Sequence, residues 1–250
     1  MTGRPVDLSL VVACYNEEPL LEDSVRRVIQ TLETTKYSYE IIFVDDRSRD
    51  RTREIIDRLI RRHPERRLSR LFHESNTGRG RAVTDGMRQA RGAVVGYIDI
   101  DLEVGAHYIP LCVAAVMNGA DVATGRRVYQ LQLRSLDRFV LSKGYQWLLR
   151  SALNVRGLID TETGFKFFRR ERILPILDLC QDGGWFWDTE VMVWSALHGC
   201  RIVELPVLFL RRFDKQSSVR VFHDTLEYSV KLWRFRQTLR RARRGMRGGR

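Results

Sequence analysis

The sequence lacks any apolar run near the roughly 20 residues needed to span a bilayer, and its N-terminus lacks the pattern of a signal peptide. Cysteine is scarce, and the four thiols lie far apart among apolar residues without any CxxC pair (Cys14, Cys112, Cys180, Cys200). This distribution favours buried free thiols over disulfides or a zinc site. We therefore expect a cytoplasmic protein that contacts a membrane only peripherally, at its inner face.

Two common phosphate-binding signatures are also missing. The glycine-bearing stretch NTGRGRA (76–82) has neither the Gly-Lys-Ser/Thr of a P-loop nor the GxGxxG spacing of a dinucleotide site. Two glycines and two arginines before a helix N-terminus would still suit phosphate binding. The alternative is an ordinary flexible turn.

Acidic residues are absent from the last 20 positions, which hold nine basic residues. Since the net charge of the whole chain is +12, the first 230 residues carry only +3. The basicity therefore belongs mainly to the tail and indicates contact with an anionic surface there. Membrane phospholipid and nucleic acid both fit on charge alone.

Apolar runs alternate with segments of helical periodicity in the first hundred residues. Strands are predicted at 7–14, 40–44, 68–73 and 93–98, and helices from Pro19 onward, at 50–62 and at 80–90. This alternation predicts an α/β fold with a mostly parallel central sheet flanked by helices.

The second half is less regular. Strands are expected at 164–168 and at 201–210, the latter broken by Pro206, and helices at 136–153, 189–198 and 224–240. The last helix carries one apolar stripe (Tyr228, Leu232, Phe235, Leu239), and 245–250 is expected to be disordered. We divide the chain into a catalytic domain, 1–222, and a basic amphipathic helix with a tail, 223–250.

Polar clusters follow three of the predicted strands, where ligands collect in such sheets: 15–17, 45–46 and 99–101. Alternation along an extended segment places Asp99 and Asp101 on one side, so both carboxylates can approach one cation. Mg²⁺ takes one or two protein carboxylates and fills its other positions with water and substrate phosphates. A solvated acidic turn is the alternative for this pair, and a turn ending in a helix cap at Asp50 is the alternative for 45–50.

The motifs VVACYNEE (11–18), DDxSxD (45–50), NTGRGRA (76–82) and DIDLE (99–103) resemble, in order and spacing, those of inverting glycosyltransferase family two. Downstream, 160–170, 184–207 and 212–217 are similar to the dolichyl-phosphate mannosyltransferase and glucosyltransferase branch. The resemblance covers roughly residues 7 to 220 and implies the nucleotide-diphospho-sugar transferase (GT-A) fold.

The resemblance also implies roles for individual residues. The nucleoside pocket would be lined by Ala13, Tyr15 and Glu17, with Asp45 or Asp46 on the base or ribose and Arg79 near the diphosphate. The metal, Mg²⁺ or Mn²⁺, would be held by Asp99, Asp101 and Glu103. The sugar and lipid phosphate would be contacted by Arg126, Arg138, Arg212 and Ser217, with Arg212 on a loop that closes over the site.

Two positions depart from the family pattern. Arg47 stands where the DDGSxD motif has glycine, so either the turn avoids positive φ or Arg47 adopts it at a cost. The closing loop commonly reads Gly-x-Ser-Lys, whereas 215–218 reads Lys-Gln-Ser-Ser. The second departure leaves open how that loop grips phosphate.

These inferences converge on a metal-dependent transfer of a hexosyl group from a GDP- or UDP-sugar to polyprenyl phosphate, with inversion and with catalytic roles for Asp101 and Arg212. If the acceptor is a sugar or lipid hydroxyl, a general base is required, and Asp188 is the candidate, with a helix N-cap as its structural alternative. A non-catalytic nucleic-acid-binding protein is the rival from another class. No recognised nucleic-acid module supports it, so we expect no nucleic-acid partner.

Overall fold

The computed structural model describes residues 6–129, 159–210 and 221–248, and the side chains of the last helix only in part. The strands are β1 Leu8–Cys14, β2 Tyr39–Asp45, β3 Arg67–Phe72, β4 Val94–Ile98, β5 Val122–Tyr129, β6 Phe165–Arg169 and β7 Ile202–Phe209. The helices are α1 Leu21–Glu33, α2 Thr52–Arg62, α3 Arg79–Gln89, α4 Ile109–Met117, α5 Arg170–Leu177, α6 Trp187–Leu197 and α7 Val221–Gly248. A short 3₁₀ helix, Ala106–Tyr108, precedes α4.

The seven strands form one sheet in the order β3-β2-β1-β4-β6-β5-β7. Every neighbouring pair is parallel except the two that involve β6, which runs antiparallel to β4 and β5. The mostly parallel α/β architecture predicted from the alternation is confirmed. The carboxyl ends of β1, β2 and β4 therefore lie side by side at one edge of the sheet.

Helices cover both faces of this sheet, which explains why its central strands are apolar throughout. On one face, Leu8, Leu10 and Val12 of β1 share a core with buried side chains of α1, α2 and α4. On the other face, α3 lies so close to the sheet that Gly86 packs against Val11 and Val44. The buried sheet is thus a fixed platform for the loops at its edge.

The chain divides into two compact units. Of the described residues, 6–129 and 161–210 belong to the first unit, and 159–160 and 221–248 to the second. The division that we predict at residue 222 stays a prediction. In α7 the expected stripe is present, since Leu232, Phe235 and Leu239 are buried.

The structure departs from the predicted elements in several places. β7 is not broken at Pro206; the proline lies in an edge strand whose outer side needs no ladder donor, so the strand continues. α7 continues to Gly248, into the stretch predicted to be disordered. β5, α4 and α5 were not predicted, and the helix predicted at 136–153 lies outside the described residues. Among the described residues, no helix combines the length and apolar character that crossing a bilayer requires.

Candidate active site

Hydrogen bonds join the loops that follow β1 and β2. The N–H of Asn16 donates to Oγ of Ser48 at 2.9 Å, and the N–H of Arg49 donates to Oδ1 of Asn16 at 2.8 Å. The N–H of Glu18 donates to Oδ2 of Asp50 at 3.0 Å. Side-chain oxygens thus satisfy backbone donors beyond the ends of the strands, which holds the two loops in one arrangement.

The loop after β3 is attached to the same edge through Asp46. One carboxylate oxygen accepts from the N–H and hydroxyl of Thr77 at 2.8 and 2.9 Å, and the other accepts from the N–H of Gly78 at 2.7 Å. His73 Nδ1 lies 3.0 Å from the same carboxylate. The three edge loops, as we name them, are 15–18, 45–50 and 73–78.

These contacts decide the charge state of Asp46. Burial raises the pKa of its carboxyl group, but the hydrogen bonds from Thr77, His73 and Gly78 outweigh burial and hold that pKa below the ordinary value. Asp46 was predicted to contact the nucleotide. In the structure its carboxylate is instead engaged in holding the third edge loop, so its predicted contact stays a prediction.

Asp45, the neighbouring candidate, has one carboxylate oxygen that is available to a ligand. Its Oδ2 accepts from Nε of Arg53 at 2.5 Å and from the N–H of Ser48 at 3.1 Å. Among the described residues, its buried Oδ1 has no hydrogen-bonding partner. An unsatisfied buried carboxylate oxygen is costly, and a ligand that donates an N–H or O–H would satisfy it.

Backbone strain is concentrated at the same edge. The non-glycine residues with positive φ among those described are Asn16 at 56°, Arg47 at 65° and Leu102 at 53°, and they follow β1, β2 and β4 respectively. Arg47 therefore does adopt the conformation for which the family pattern has glycine. Such residues persist only where the surroundings fix them, and they cluster at functional sites.

The acidic pair lies where β4 ends. The N–H of Asp99 donates to the carbonyl oxygen of Gly164 at 2.9 Å, which ties the segment after β4 to the chain entering β6. A Cβ on Gly164 would overlap the Asp99 carboxylate as it is placed here, so a larger residue at 164 would displace that carboxylate. Asp101 accepts a 3.3 Å hydrogen bond from the N–H of Glu103 through Oδ1.

Asp99 is the outer member of a cluster of opposite charges that we call the charge network: Arg79, Tyr97, Asp99, Lys166 and Asp188. Nε and Nη2 of Arg79 donate to Oδ1 of Asp99 at 2.8 and 2.6 Å, and Nη1 donates to Oδ2 of Asp188 at 2.6 Å. Oδ1 of Asp188 accepts from Nζ of Lys166 at 2.7 Å and from the hydroxyl of Tyr97. Two cations and two anions thus balance one another.

The pKa shifts within the charge network follow from this pairing. Burial raises the pKa of the Asp188 carboxyl group, but Arg79 and Lys166 outweigh burial and hold it below the usual range. Loss of hydration raises the pKa of Asp99, an effect that Arg79 opposes and that the nearby Asp101 carboxylate strengthens. Burial lowers the pKa of Arg79, but Asp188 and Asp99 together raise it above its ordinary value.

The acidic pair fits a hard divalent cation. The side chain of Asp99 is 37% exposed and its carboxylate is repelled by that of Asp101, a repulsion that a shared cation would relieve. Within the described residues, no three Asp, Glu, His or Cys side chains converge as a ready-made metal site. The assembled donors are therefore the pair alone, and the predicted third ligand, Glu103, stays a prediction.

The NTGRGRA stretch differs from a phosphate-binding helix start. α3 begins at Arg79, but the N–H groups of Thr77 and Gly78 donate to Asp46, and that of Arg81 donates to the carbonyl oxygen of Gly183 at 3.0 Å. Gly78 has φ 95°, and a side chain there would overlap the backbone of Gly183. This leaves the guanidinium of Arg79, rather than these backbone donors, as the group suited to phosphate.

The other predicted site residues lie partly within and partly outside the described part of the chain. Ala13 lies in β1 beside Val44, Tyr15 is 44% exposed in the first edge loop, and Glu17 is partly buried there. Arg126 lies in β5, where its backbone pairs with Pro206. Three predicted phosphate contacts lie outside the described residues: Arg138, Arg212 and Ser217.

Asp188 is not a helix N-cap, the alternative considered for it. It is the second residue of α6, 2% exposed, and both of its carboxylate oxygens are engaged by cations. A carboxylate with a lowered pKa is a weak proton acceptor, so this environment favours a role in holding charge over general base catalysis. Its role as general base stays a prediction.

Sequence reasoning missed three residues at this site. Lys166 is fully buried in β6, and Tyr97 is fully buried in β4. Trp185 is 59% exposed and its ring lies 4.9 Å from the Arg79 guanidinium carbon. The available signal was the lysine in GFKFF, because a charge within an otherwise apolar strand requires a buried partner.

The chain is similar to known proteins over most of its length. The model described as Glycosyl transferase family 2 matches residues 9–176. The chain is 35% identical over 211 residues to Glycosyltransferase AglD of Haloferax volcanii, covering 82% of this chain and 33% of that protein. It is 29% identical over 230 residues to a dolichyl-phosphate beta-glucosyltransferase of Dictyostelium discoideum, with 82% and 67% covered.

A dolichol-phosphate mannosyltransferase of Pyrococcus furiosus is 32% identical over 219 residues, with 85% of this chain and 59% of that protein covered. The chain thus spans from one third to two thirds of these relatives. Among solved structures, glucosyl-3-phosphoglycerate synthase from Mycobacterium tuberculosis, with Mn²⁺ and UDP, gives a TM-score of 0.62 at 18% identity, covering 89% and 75%. A mannosyltransferase from Pyrobaculum calidifontis, with GDP-Man and Mn²⁺, gives 0.59 at 18%, covering 94% and 61%.

Proposed function

Because this chain belongs to glycosyl transferase family 2, we propose that it moves a hexosyl group from a GDP- or UDP-sugar to polyprenyl phosphate, with inversion at the anomeric carbon. The observation that carries this proposal is the meeting of the three edge loops with the acidic pair and Arg79 at one edge of the sheet. Two of the relatives are named for transfer to dolichyl phosphate, which supports a lipid phosphate as the acceptor.

The edge loops would hold the nucleoside of the donor. Oδ1 of Asp45 would accept a hydrogen bond from the base, and Ala13, Tyr15 and Glu17 would line the pocket around it. Asp46 would support this pocket from below through its bonds to Thr77 and Gly78. A pocket fixed before binding loses little entropy when the ligand arrives.

The diphosphate would lie beside Asp99, Asp101 and Arg79. The two carboxylates, with Glu103 as the proposed third ligand, would hold Mg²⁺ or Mn²⁺, which would neutralise charge on the departing nucleoside diphosphate. Arg79 presents a planar group able to contact two phosphate oxygens at once. When the donor binds, Arg79 would exchange its hydrogen bonds to Asp99 for hydrogen bonds to phosphate. It would keep its hydrogen bond to Asp188.

The acceptor phosphate would be bound by arginines from the second half of the chain. Arg126, Arg138 and Arg212 are the proposed contacts, together with Ser217. A phosphate monoester is already anionic near neutral pH, so attack needs little proton removal and can rely on positioning and electrostatics. A reaction that needs little proton removal agrees with a site whose buried carboxylate, Asp188, is paired with two cations.

The test is transfer by the full chain from radiolabelled UDP-glucose and GDP-mannose to a polyprenyl phosphate, with Mn²⁺ present. We expect one donor to yield a lipid-linked sugar that mild acid releases, with the opposite anomeric configuration to the donor. The matched control is the corresponding polyprenol, whose hydroxyl should not accept. Transfer to polyprenol, or retention of configuration, would contradict the proposal.

We also propose that α7 contacts an anionic membrane surface. Trp233 is 61% exposed beside exposed arginines at 234, 236, 240 and 241. Each basic residue near such a surface contributes roughly 1 kcal/mol, and salt screens the attraction. An exposed tryptophan suits the interfacial layer, where an apolar ring and a polar N–H are both accommodated.

Deleting residues 241–250, which removes five arginines, should weaken binding to liposomes containing anionic phospholipid. Turnover of a short, water-soluble acceptor phosphate should stay nearly unchanged, because the deleted residues lie outside the proposed site. Co-sedimentation at low and high salt measures the first effect. Liposome binding that ignores both salt and the deletion would remove this part of the proposal, and salt-sensitive RNA binding without lipid binding would favour the nucleic-acid rival.

A further inference from the structure

Lys166 occupies a position at which a charge is costly. It lies in β6 between Phe165 and Phe167, and its side chain is 0% exposed. Removing an ammonium group from water costs several kcal/mol unless partners compensate for the lost hydration. Its amine has those partners: Oδ1 of Asp188 at 2.7 Å, the hydroxyl of Tyr97 at 3.0 Å and the carbonyl oxygen of Thr163.

The lysine is linked to Arg79 through the Asp188 carboxylate. Its amine is bonded to one oxygen of that carboxylate, and the other oxygen accepts from Nη1 of Arg79 at 2.6 Å. Arg79 in turn directs its Nε and Nη2 edge to Asp99. A continuous line of charge-assisted bonds therefore runs from β6 through α6 and α3 to the end of β4.

This line controls where the guanidinium of Arg79 can lie. Arginine has several rotatable bonds, and its side chain loses conformational entropy when it is fixed. The Asp188 contact fixes one edge of the guanidinium, and the rings of Tyr97 and Trp185 lie 5.3 and 4.9 Å from its central carbon. The conformational entropy of the Arg79 side chain is therefore lost during folding, before any ligand binds. Ligand binding then does not carry that cost.

We propose that Lys166 is a positioning residue for donor binding, which holds the Asp188 carboxylate so that Asp188 holds Arg79 ready for the diphosphate. The proposal rests on the proposed function, because it takes the nucleoside diphosphate as the ligand of Arg79. Donor binding would then be the reason that this buried position holds a charged side chain rather than an apolar one.

A purely structural role and a purely electrostatic role for Lys166 predict different results. If the lysine only stabilises the fold, its replacement lowers stability without changing the affinity of the folded protein for nucleotide. If it only supplies positive charge to the site, affinity depends on the net charge of the charge network and not on which members remain. A variant that removes one cation and one anion together separates both of these roles from positioning.

The decisive variant is therefore Lys166→Met combined with Asp188→Asn. Its charge network keeps the net charge of the wild type, and no buried ion is left without its counter-ion. We expect its thermal stability to exceed that of Lys166→Met alone, because the single change leaves Asp188 with one cation fewer. We expect its affinity for nucleoside diphosphate to stay at least tenfold below wild type, because Arg79 has lost the carboxylate that holds it.

The measurement is calorimetric titration with UDP and GDP in EDTA, which removes metal binding from the comparison. The protein is the full chain as wild type, as Lys166→Met, as the double variant and as the control Phe168→Leu. Phe168 lies on the same strand and face as Lys166 and is also fully buried, but it is not part of the charge network. The control should lose stability and keep its affinity within about twofold, since it tests packing alone.

Each outcome either supports or overturns the proposal. Weakened binding by folded Lys166→Met, together with weakened binding by the double variant at recovered stability, supports the proposal, and wild-type affinity in folded Lys166→Met contradicts it. Wild-type affinity in the double variant overturns it, even if Lys166→Met alone fails to fold. If the wild-type chain binds neither UDP nor GDP even when Mn²⁺ is added, the proposed function itself fails, and that result is recognised before any variant is compared.

Discussion

The edge loops and the charge network lie side by side, yet they are held by different kinds of interaction. In the edge loops, side-chain oxygens mostly accept from backbone N–H groups, as Asp46 does from Thr77 and Gly78. In the charge network, ionised side chains from separate elements bind one another, as Arg79 binds Asp99 and Asp188. Backbone contacts are lost only when the loop itself moves, whereas a side-chain ion pair can be exchanged for a ligand.

This difference predicts how substitutions will act. Replacing a side chain that holds an edge loop in place, as Asp46 does, should lower the free energy of unfolding and leave the rate of the folded enzyme nearly intact. A change beside or within the charge network should lower the rate more than the stability. The following substitutions test that division, beginning with the largest expected effect.

Asp101→Asn should lower transfer about a hundredfold or more, because the variant loses one of the two carboxylates proposed to hold the metal beside the donor diphosphate. That loss corresponds to about 2.7 kcal/mol of transition-state stabilisation. Steady-state assays with a saturating donor measure it, and calorimetric titration with Mn²⁺ should show weaker metal binding at the same time. The melting temperature should stay close to wild type.

Asp178→Asn is the matched control for Asp101→Asn. Asp178 is 71% exposed and pairs with Arg88 at the surface, so the same chemical change there should leave transfer unaffected. Full activity of Asp101→Asn, or of wild-type enzyme freed of metal by EDTA, would break the assignment of the acidic pair.

Arg79→Lys should lower kcat/KM for the sugar donor by about tenfold, which corresponds to about 1.4 kcal/mol. Lysine keeps the positive charge, but it cannot contact Asp188 with one edge and phosphate with another. Arg81→Lys is the control, because Arg81 lies two residues along α3 and pairs only with Asp85 at the surface among the contacts described. Equal kinetics of the two variants would mean that charge alone matters at position 79.

The two regions also differ in how far the sequence alone predicts them. The edge loops were found because their polar residues are contiguous and directly follow apolar runs, as at Asp45 and Asp46. The predicted family is confirmed by the family model over residues 9–176, and the predicted GT-A fold by the likeness to solved structures. Local patterns suffice when the residues of a site are neighbours in the chain.

The charge network could not be assembled in this way. Its members Arg79, Asp99, Lys166 and Asp188 span 110 residues, and the pairing of β4 with β6 together with the packing of α3 and α6 brings them together. β4 and β6 are antiparallel neighbours, with Tyr97 opposite Lys166, a register that no local pattern reveals. Pro206 shows the same limitation, because whether a strand tolerates proline depends on its being at the sheet edge.

The smallest effect on rate is expected at Asp46, the residue whose predicted nucleotide contact conflicts most with its position. Asp46→Asn removes the charge that accepts from Thr77, Gly78 and His73, so the free energy of unfolding should fall by about 1–3 kcal/mol at pH 7. The pKa of this carboxyl group is lowered in the folded protein, so its contribution is complete above the unfolded pKa of about 3.9 and is lost as the pH falls through the folded value. Urea unfolding of both proteins should therefore show a difference at pH 7 that shrinks below about pH 4.

Donor KM of Asp46→Asn at pH 7 should stay within about threefold of wild type, since the changed group faces the loop and not the ligand. A large rise in donor KM with little loss of stability would instead place Asp46 in the nucleotide pocket and erase the contrast between the two regions.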